Sequence, residues 1–309
     1  MMIFPPMPET GSTILLIAPS SPLSEDQPID SIAQGVERLG FHVRIDPSCQ
    51  SSSPCGYAAA PPELRAAGIN AGFSDPDISA IWCVRGGSTA WQLPPLLDYA
   101  AISAHPKPFI GFSDVTSLHL AIQKNCHLVT YHGPTANRIL KWEDDPFTWP
   151  SLLAALYMEK RLCVKNAPGE PIKSLRPGTA SGPLTGGNLS LVVQSLGTPW
   201  QIDAKDRILY LEDVDEPVYA LDRLLSQLHY AGVLQSAAGI VLGAFTHCRN
   251  AYRESYGPEE LLKDFFSNWP RPVLYNLHSA HCTPMVTLPL GAHCTIDGSA
   301  ASLMFSRNS

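Results

Sequence analysis

The chain has 309 residues, and 45% of them are hydrophobic, which is enough to bury a large core and favours two domains over one. Its net charge is −7, its isoelectric point is near 5.8, and neither sign forms a long run. A surface that binds nucleic acid or an anionic membrane is therefore not expected. The first apolar run, Ile14 to Ala18, is too short for a signal peptide or a membrane span. We expect a cytoplasmic protein.

In the first half of the chain, strand-like and helix-like segments alternate. The order is "STILLIAPSS", a strand; "DSIAQGVERLG", a helix ended by Gly40; "FHVRID", a strand; "PPELRAAGINAGFSDPD", a helix; and the strands "ISAIWCVRGG" and "PFIGF". This β-α-β-α-β order predicts an α/β N-terminal domain over residues 1–136, with a parallel sheet of flavodoxin or Rossmann type. Ligands bind beyond the carboxyl ends of such strands, where "VRGG" and "GFSD" both fall.

The second half reads differently. Residues 137–180 contain Trp, Pro and charged residues with one helix-like segment, "SLLAALYMEKRL", and they are predicted to connect the domains. Residues 181–309 combine the strands "RILYLEDV", "AAGIVLGAF" and "RPVLYNL" with the helix "VYALDRLLSQLHYAG", whose leucines form an apolar stripe. We therefore predict a C-terminal mixed α+β domain with a partly barrel-like sheet.

Ser113 stands at the corner between the strand "PFIGF" and the helix-like "TSLHLAI". A serine on a sharp strand-to-helix turn exposes its hydroxyl beside the free N–H groups at the start of a helix, as a nucleophile requires. The alternative is that Ser113 or Asp114 caps the helix. The usual G-x-S-x-G pattern is also not met, because Val115 replaces its second glycine.

A nucleophilic serine needs a base and a group that orients the base. His278 and His281 lie in a loop-like segment, "NLHSAHCTPMVTLPLG", where a histidine is better placed for chemistry than in a core. Glu212 and Asp213 end the strand "ILYLEDV" and are candidates for the orienting carboxylate. Residue types alone leave the choice among these side chains open.

The cysteines and histidines also raise the question of a metal. Eight cysteines are scattered without a CxxC pair and are expected to be mostly free thiols. A cluster near the C-terminus can bind metals but lacks the close ligand pairs of zinc sites: His278, His281, Cys282, His293 and Cys294. We expect no metal and no cofactor, and a zinc hydrolase built on His278, His281 and Cys294 stays as an alternative.

Several separated motifs resemble the LD-carboxypeptidase family, in the family's order and from about Ser12 onward. They are "APSSP", "WCVRGG", "GFSD", "YHGP", "GPLTGGNLSLVVQSLGTPW", "ILYLEDVDEPVYALDRLLSQL" and the histidine of "AHCTPMVTLPLGAH". The resemblance implies a cytoplasmic serine peptidase that removes the terminal D-Ala from cell-wall tetrapeptides during peptidoglycan recycling. It also implies an N-terminal α/β domain that carries the serine and a partly barrel-like C-terminal domain that carries a glutamate and a histidine.

The family triad falls on Ser113, Glu212 and His281 when carried over motif by motif, which favours His281 over His278. The resemblance also places the oxyanion hole at the backbone N–H groups of Gly87 and Asp114. Two positions depart from the family pattern: Ala280 replaces a glycine before the histidine, and Ser88 replaces an aromatic residue after Arg-Gly-Gly.

The substrate-binding candidates are weaker. They are Arg85, which can pair with a carboxylate, and three polar or small residues of the same motifs, Gly86, Ser88 and Asn188. An arginine at a strand end is more often structural or solvated, and helix capping explains Asn188 equally well.

The expected partner is the murein tetrapeptide L-Ala-D-Glu-diaminopimelate-D-Ala, free or on a muropeptide, and lysine in place of diaminopimelate stays open, as does a homodimer. Two alternatives remain besides zinc. One is the microcin C self-immunity branch of the same family, which cleaves acyl-sulfamoyl or peptidyl adenylates and needs an aromatic platform such as Trp142 or Trp149. The other is a non-catalytic muropeptide-binding protein.

Overall fold

The computed structural model describes residues 2–307, except for the side chains of residues 142–144. Five strands of the first half form a parallel sheet in the order β2-β1-β3-β4-β5. This is the strand order of flavodoxin-like folds, in which ligands bind beside the β1/β3 switch point. The strands are β1 (Thr13–Ile17), β2 (His42–Ile45), β3 (Ile78–Cys83), β4 (Phe109–Gly111) and β5 (Thr130–His132).

Helices cover both faces of this sheet, because successive side chains of a strand point to opposite sides. Ile14 and Leu16 of β1 pack into one apolar cluster with α1, whereas Leu15 and Ile17 pack into another with α2, α3 and α4. The predicted α/β architecture of the first half is confirmed. The helices are α1 (Ile29–Glu37), α2 (Pro62–Ser74), α3 (Tyr99–Ala104) and α4 (Thr116–Cys126).

The second half forms a mixed sheet in the order β6-β14-β13-β8-β9-β10-β11-β7. Strands β8 to β11 are parallel to one another, and antiparallel strands flank them on both sides. The predicted mixed sheet is confirmed, and its pairing runs between two edge strands rather than closing into a complete barrel. The strands are β6 (Arg161–Val164), β7 (Lys173–Arg176), β8 (Thr179–Asn188), β9 (Ile208–Val214), β10 (Gly239–Thr246), β11 (Val273–Tyr275), β12 (Leu288–Leu290), β13 (His293–Asp297) and β14 (Ser302–Ser306).

Five further helices follow along the described part of the chain, of which α5 packs against β12. Leu221, Leu225 and Leu228 of α7 are fully buried, as their spacing in sequence predicts. The helices are α5 (Thr148–Leu156), α6 (Leu189–Gln194), α7 (Val218–Tyr230), α8 (Val233–Ser236) and α9 (Pro258–Phe265).

The segment between the halves differs from its prediction. The helix expected over "SLLAALYMEKRL" ends at Leu156, and Arg161–Val164 forms β6 instead. These residues form backbone hydrogen bonds with β14, a pairing that their own sequence does not predict. Strand β7 also lies in this segment and joins the second sheet. The boundaries at 137 and 180 therefore stay a proposal.

Strand β12 belongs to the first sheet although it comes late in the chain. It pairs antiparallel with β5, so that Leu288 faces His132 and Leu290 faces Thr130. The chain thus leaves β11 in the second sheet, passes through residues 276–287, and enters the first sheet. His281 lies on this crossing.

No helix in the described part of the chain has both the length and the apolar composition needed to cross a membrane. All eight cysteines are free thiols.

Candidate active site

Ser113 begins a single 3-10 turn, Ser113–Val115, between β4 and α4. Its backbone is left-handed, with φ 65°, a conformation that costs a residue with a side chain roughly 1–2 kcal/mol. Phe112 before it is extended, so the chain reverses sharply at Ser113. Neither Ser113 nor Asp114 caps α4 with its side chain. The turn presents the hydroxyl to a cleft at the carboxyl ends of the strands.

Three side chains that are distant in sequence form one hydrogen-bonded chain. The Nε2 atom of His281 lies 3.0 Å from Ser113 Oγ, and its Nδ1 atom lies 2.8 Å from Glu212 Oε2. A neutral imidazole with its proton on Nδ1 donates to Glu212 and accepts from the Ser113 hydroxyl. The structure thus brings together Ser113 of the first sheet, Glu212 of the second and His281 of the crossing loop. His278 is not part of this chain.

Glu212 is fully buried near the end of β9. Burial raises the pKa of its carboxyl, and the hydrogen bond from His281 opposes that shift. Asp213 next to it is also buried, and it accepts hydrogen bonds from Asn188 Nδ2 (2.9 Å), the Ser190 N–H (3.0 Å) and the Ser190 hydroxyl (2.7 Å). The two neighbouring carboxylates therefore have separate partners, and Glu212 is left to His281.

Gly86 and Gly87 follow β3 and lie beside the serine turn. A β-carbon on Gly86 would come 2.9 Å from Ser113 Cβ, and one on Gly87 would come 2.2 Å from Ser21 Oγ. Gly87 also has a φ of 147°, which glycine adopts readily. Within residues 2–307, the backbone N–H groups of Gly87 and Asp114 donate to no protein acceptor. One free donor therefore belongs to the residue directly after Ser113, and the other to a residue that lines the same cleft as Ser113.

The Asp114 carboxylate has a role that its backbone N–H does not reveal. It is buried, and its Oδ2 atom accepts from the Ser20 hydroxyl at 2.5 Å and from the Ala90 N–H at 2.6 Å. These bonds join the serine turn to the loops after β1 and β3. Asp114 thus fixes the loop after β3, which contains Gly87, relative to Ser113.

Arg65 supports the site but was not identified from the sequence. It is fully buried on α2, and its guanidinium donates to the carbonyls of Pro19 (2.7 Å) and Thr89 (3.2 Å) and to Gln92 Oε1 (2.6 Å). It therefore holds the same two loops as Asp114. The signal available in the sequence was its spacing, because Arg65 lies four residues before Ile69 and therefore shares the buried face of α2.

A cleft of about 920 Å³ opens over Ser113 and His281. Arg85 lines it and donates to the Pro22 carbonyl at 2.9 Å, and the cleft wall also contains Lys141, Asp26 and Asp215. Trp149 lines it as well and stacks on Trp82, with ring centroids 6.0 Å apart. The side chain of Trp142 lies outside the described residues.

Two of the predicted substrate contacts lie away from this cleft lining. Ser88 is exposed beyond it. Asn188 is buried, donates to Asp213 and accepts from the Leu191 N–H at 3.3 Å, which is the helix-capping alternative. Arg85 and Gly86 do line the cleft.

The residues of the zinc alternative are not grouped. Among the described residues, no three His, Cys, Asp or Glu side chains cluster as metal ligands. His278 Nε2 lies 3.3 Å from Asn276 Oδ1, and Cys294 is fully buried in an apolar cluster.

Three relatives resemble the chain over most of its length. It is 36% identical to the probable murein peptide carboxypeptidase of Bacillus subtilis (strain 168), covering 93% of this chain and 89% of that one. It is 32% identical to the murein tetrapeptide carboxypeptidase of Pseudomonas aeruginosa, covering 92% and 93%. It is 28% identical to the microcin C7 self-immunity protein MccF of Escherichia coli, covering 75% of each chain.

A solved structure is similar over nearly the whole fold. The crystal structure of an MccF-like protein from Bacillus anthracis str. Ames superposes with a TM-score of 0.89 at 26% identity, covering 98% of this chain and 99% of that one. Family models match in both halves: the LD-carboxypeptidase N-terminal domain over residues 14–133 and the C-terminal domain over residues 181–296. With both domain models matched in order and a relative above one-third identity, the chain belongs to the LD-carboxypeptidase family of peptidases.

Proposed function

We propose that the protein is a serine carboxypeptidase that hydrolyses the L,D-amide bond before the terminal D-Ala of murein tetrapeptides. The observation that carries the proposal is the hydrogen-bonded chain from Glu212 through His281 to Ser113 at the cleft. The names of the relatives from Bacillus subtilis and Pseudomonas aeruginosa support the substrate class. A cytoplasmic location, where recycled peptides are processed, is part of the same proposal.

The first step is acylation of the serine. His281 Nε2 takes the proton of Ser113 as Oγ attacks the carbonyl carbon of the amide that joins diaminopimelate to D-Ala. The imidazolium that forms is stabilised by Glu212, whose Oε2 holds the Nδ1 proton. The negative charge that develops on the carbonyl oxygen is bound by the N–H groups of Gly87 and Asp114. A donor of this kind contributes about 3 kcal/mol to the transition state.

Release and deacylation reuse the same groups. His281 returns its proton to the amide nitrogen, the C–N bond breaks, and D-Ala leaves as the free amine. Water then attacks the ester carbonyl while His281 accepts one of its protons, and the tripeptide leaves as Ser113 regains its hydrogen. One water molecule is consumed for each D-Ala released.

Arg85 is the side chain we assign to the terminal carboxylate of D-Ala. A carboxypeptidase must recognise that carboxylate, and a guanidinium binds carboxylates with two parallel hydrogen bonds. Arg85 precedes Gly86 and Gly87 and lines the cleft, and one of its nitrogens is held by the Pro22 carbonyl. That hydrogen bond orients the guanidinium and leaves its other N–H groups for a ligand.

The deciding experiment incubates the folded protein with purified tetrapeptide and follows loss of D-Ala by mass spectrometry. We expect release by wild type, loss of nearly all activity in Ser113→Ala, and retention in the matched control Ser117→Ala, whose hydroxyl donates to the Asp114 carbonyl. Excess EDTA should leave the rate unchanged. Turnover by Ser113→Ala within tenfold of wild type would contradict the serine mechanism.

One observation favours a second candidate, a hydrolase of peptidyl or aminoacyl adenylates like the microcin C branch. Trp149 is half-buried, lines the cleft and stacks on Trp82, and it therefore offers an indole face to an adenine ring. The same protein incubated with an acyl-sulfamoyl adenosine separates the two candidates. Hydrolysis of this compound together with intact tetrapeptide would favour the second. Intact recovery of both would favour a muropeptide-binding protein. A homodimer is a further proposal that sedimentation velocity tests.

A further inference from the structure

The loop that carries His281 is bound by an arginine from the first half of the chain. The Arg138 guanidinium donates through NH1 to the Cys282 carbonyl at 2.8 Å and to Thr283 Oγ1 at 3.2 Å. Through NH2 it donates to the Ala280 carbonyl at 3.4 Å. The residues on both sides of the histidine are thus held by one side chain.

Arg138 also reaches the histidine through an aromatic ring. Its guanidinium carbon lies 5.0 Å from the centre of the Phe112 ring, which is a cation–π distance. Phe112 in turn packs edge to face against the imidazole of His281, with ring centroids 4.9 Å apart. Because Phe112 directly precedes Ser113, this stack links the serine turn to the histidine loop.

The loop needs such support around His281. Ala280 is fully buried and has a φ of 75°, which is a strained conformation for a residue with a β-carbon. Other side chains fix the later part of the loop: Thr148 Oγ1 accepts from the Met285 N–H at 2.8 Å, and Ser151 Oγ accepts from the Thr287 N–H at 3.0 Å. These bonds lie several residues beyond the histidine. They leave its immediate neighbours to Arg138.

We propose that Arg138 is a positioning residue for His281, which fixes the imidazole between Glu212 and Ser113 by binding the carbonyls on either side of it and by stacking on Phe112. The inference rests on the proposed role of His281 as the base. It assigns Arg138 a role distinct from substrate binding, although the residue lines the cleft, because both terminal nitrogens of its guanidinium are used within the protein.

The test compares Arg138→Met and Arg138→Lys with the matched control Arg307→Met. Arg307 also stacks on a ring, at 5.0 Å from the centre of Phe4, and donates to the Met158 carbonyl at 3.0 Å. Hydrogen exchange of residues 279–283 is measured without substrate, and kcat and KM are measured for D-Ala release. Unchanged exchange in β4 and β9 shows that each variant is folded.

In Arg138→Met we expect exchange in the loop to accelerate at least tenfold, kcat to fall about 100-fold and KM to change less than about threefold. Arg138→Lys should recover part of kcat, and Arg307→Met should resemble wild type. Unchanged loop exchange, or a rise in KM with constant kcat, would overturn the proposal. If wild type releases no D-Ala, the proposed function fails, while the exchange experiment still decides the role of Arg138.

Discussion

Gly86 leaves no room for a side chain beside Ser113, because an added methyl group would lie 2.9 Å from Ser113 Cβ and 3.1 Å from its Oγ. The φ of Gly86 is outside the left-handed range, so its backbone accepts an L side chain. The nucleophile, rather than the backbone, therefore restricts this position to glycine.

Gly86→Ala is expected to keep the fold and lose activity. The methyl group displaces Ser113 Oγ from His281, and we expect kcat to fall at least about tenfold, since misplacement by about 1 Å can cost about 100-fold. Steady-state kinetics and thermal unfolding measure the two effects. The control is Gly257→Ala, whose β-carbon would meet an ordinary contact at 3.5 Å. Wild-type kcat in Gly86→Ala would refute the close approach.

Glu212→Gln is expected to separate stability from activity. Burial is the largest cause that raises the pKa of Glu212 above its ordinary 4.5. The unfolded chain therefore loses this proton more readily than the folded protein, and the wild type loses stability as pH rises from 4.5 through the folded pKa. Glutamine cannot ionise, so the stability of the variant relative to wild type should increase between pH 4 and pH 7.

Urea unfolding at the two pH values measures that difference. Activity should fall at least about a thousandfold, because the glutamine amide no longer stabilises the imidazolium of His281. A relative stability that does not change between pH 4 and pH 7 would show that the Glu212 carboxyl loses its proton equally readily in the folded and the unfolded chain, so that burial does not raise its pKa.

His119→Gln is expected to reduce the acid sensitivity of the fold. His119 is fully buried, its Nε2 lies 2.9 Å from the Gly111 carbonyl, and burial lowers its pKa from 6.5 to about 4. Below pH 6.5 the unfolded chain gains this proton and the folded protein does not, so the wild type loses up to roughly 3 kcal/mol as pH falls to about 4. Glutamine keeps a donor for Gly111 without titrating.

The measurement is the free energy of unfolding at pH 7.5 and at pH 4.5 for both proteins. The variant should lose less stability over this interval than wild type. His132 contributes in the same direction in both proteins, because burial holds its pKa well below 6.5. Equal losses would show that His119 binds its proton in the folded state.

Arg85→Gln is expected to raise KM for the tetrapeptide at least about tenfold while changing kcat little, since the guanidinium binds a carboxylate that does not react. Replacing the terminal carboxylate of the tetrapeptide by an amide should raise KM by the same factor in wild type. In the variant, the amide should raise KM no further. If the substitution and the amide each raised KM independently, the carboxylate would be bound by another group, such as Lys141. Arg223→Gln is the control, because its guanidinium stacks on the exposed Tyr219.

Local sequence predicted those parts of the fold that depend on periodicity. The alternating strands and helices of the first half, and the leucine stripe of α7, follow from the spacing of apolar residues. Strand β6 was not predicted, because it forms only by pairing with β14, which lies far along the chain. The same segment, ending "YMEKRL", has residues with good helix propensity, and tertiary pairing overrides it.

The candidate site divides in a similar way. Ser113 was visible from its turn, whereas the choice between His278 and His281 required a family resemblance, since both lie in one loop. Arg65 and Arg138 were missed because they bind backbone carbonyls, which every residue carries and no motif records. Their partners are identifiable only once the loops are placed in space.

The antiparallel pairing of β12 with β5 has a consequence for how the chain is synthesised and folded. Five strands of the first sheet are complete once His132 has left the ribosome, but the outer edge of β5 stays uncovered until Leu288 emerges. An uncovered edge strand is a template for association with other chains. In the nascent chain the edge of β5 therefore stays exposed until the segment that carries His281 and β12 has been synthesised. The same late segment covers this edge and completes the candidate site.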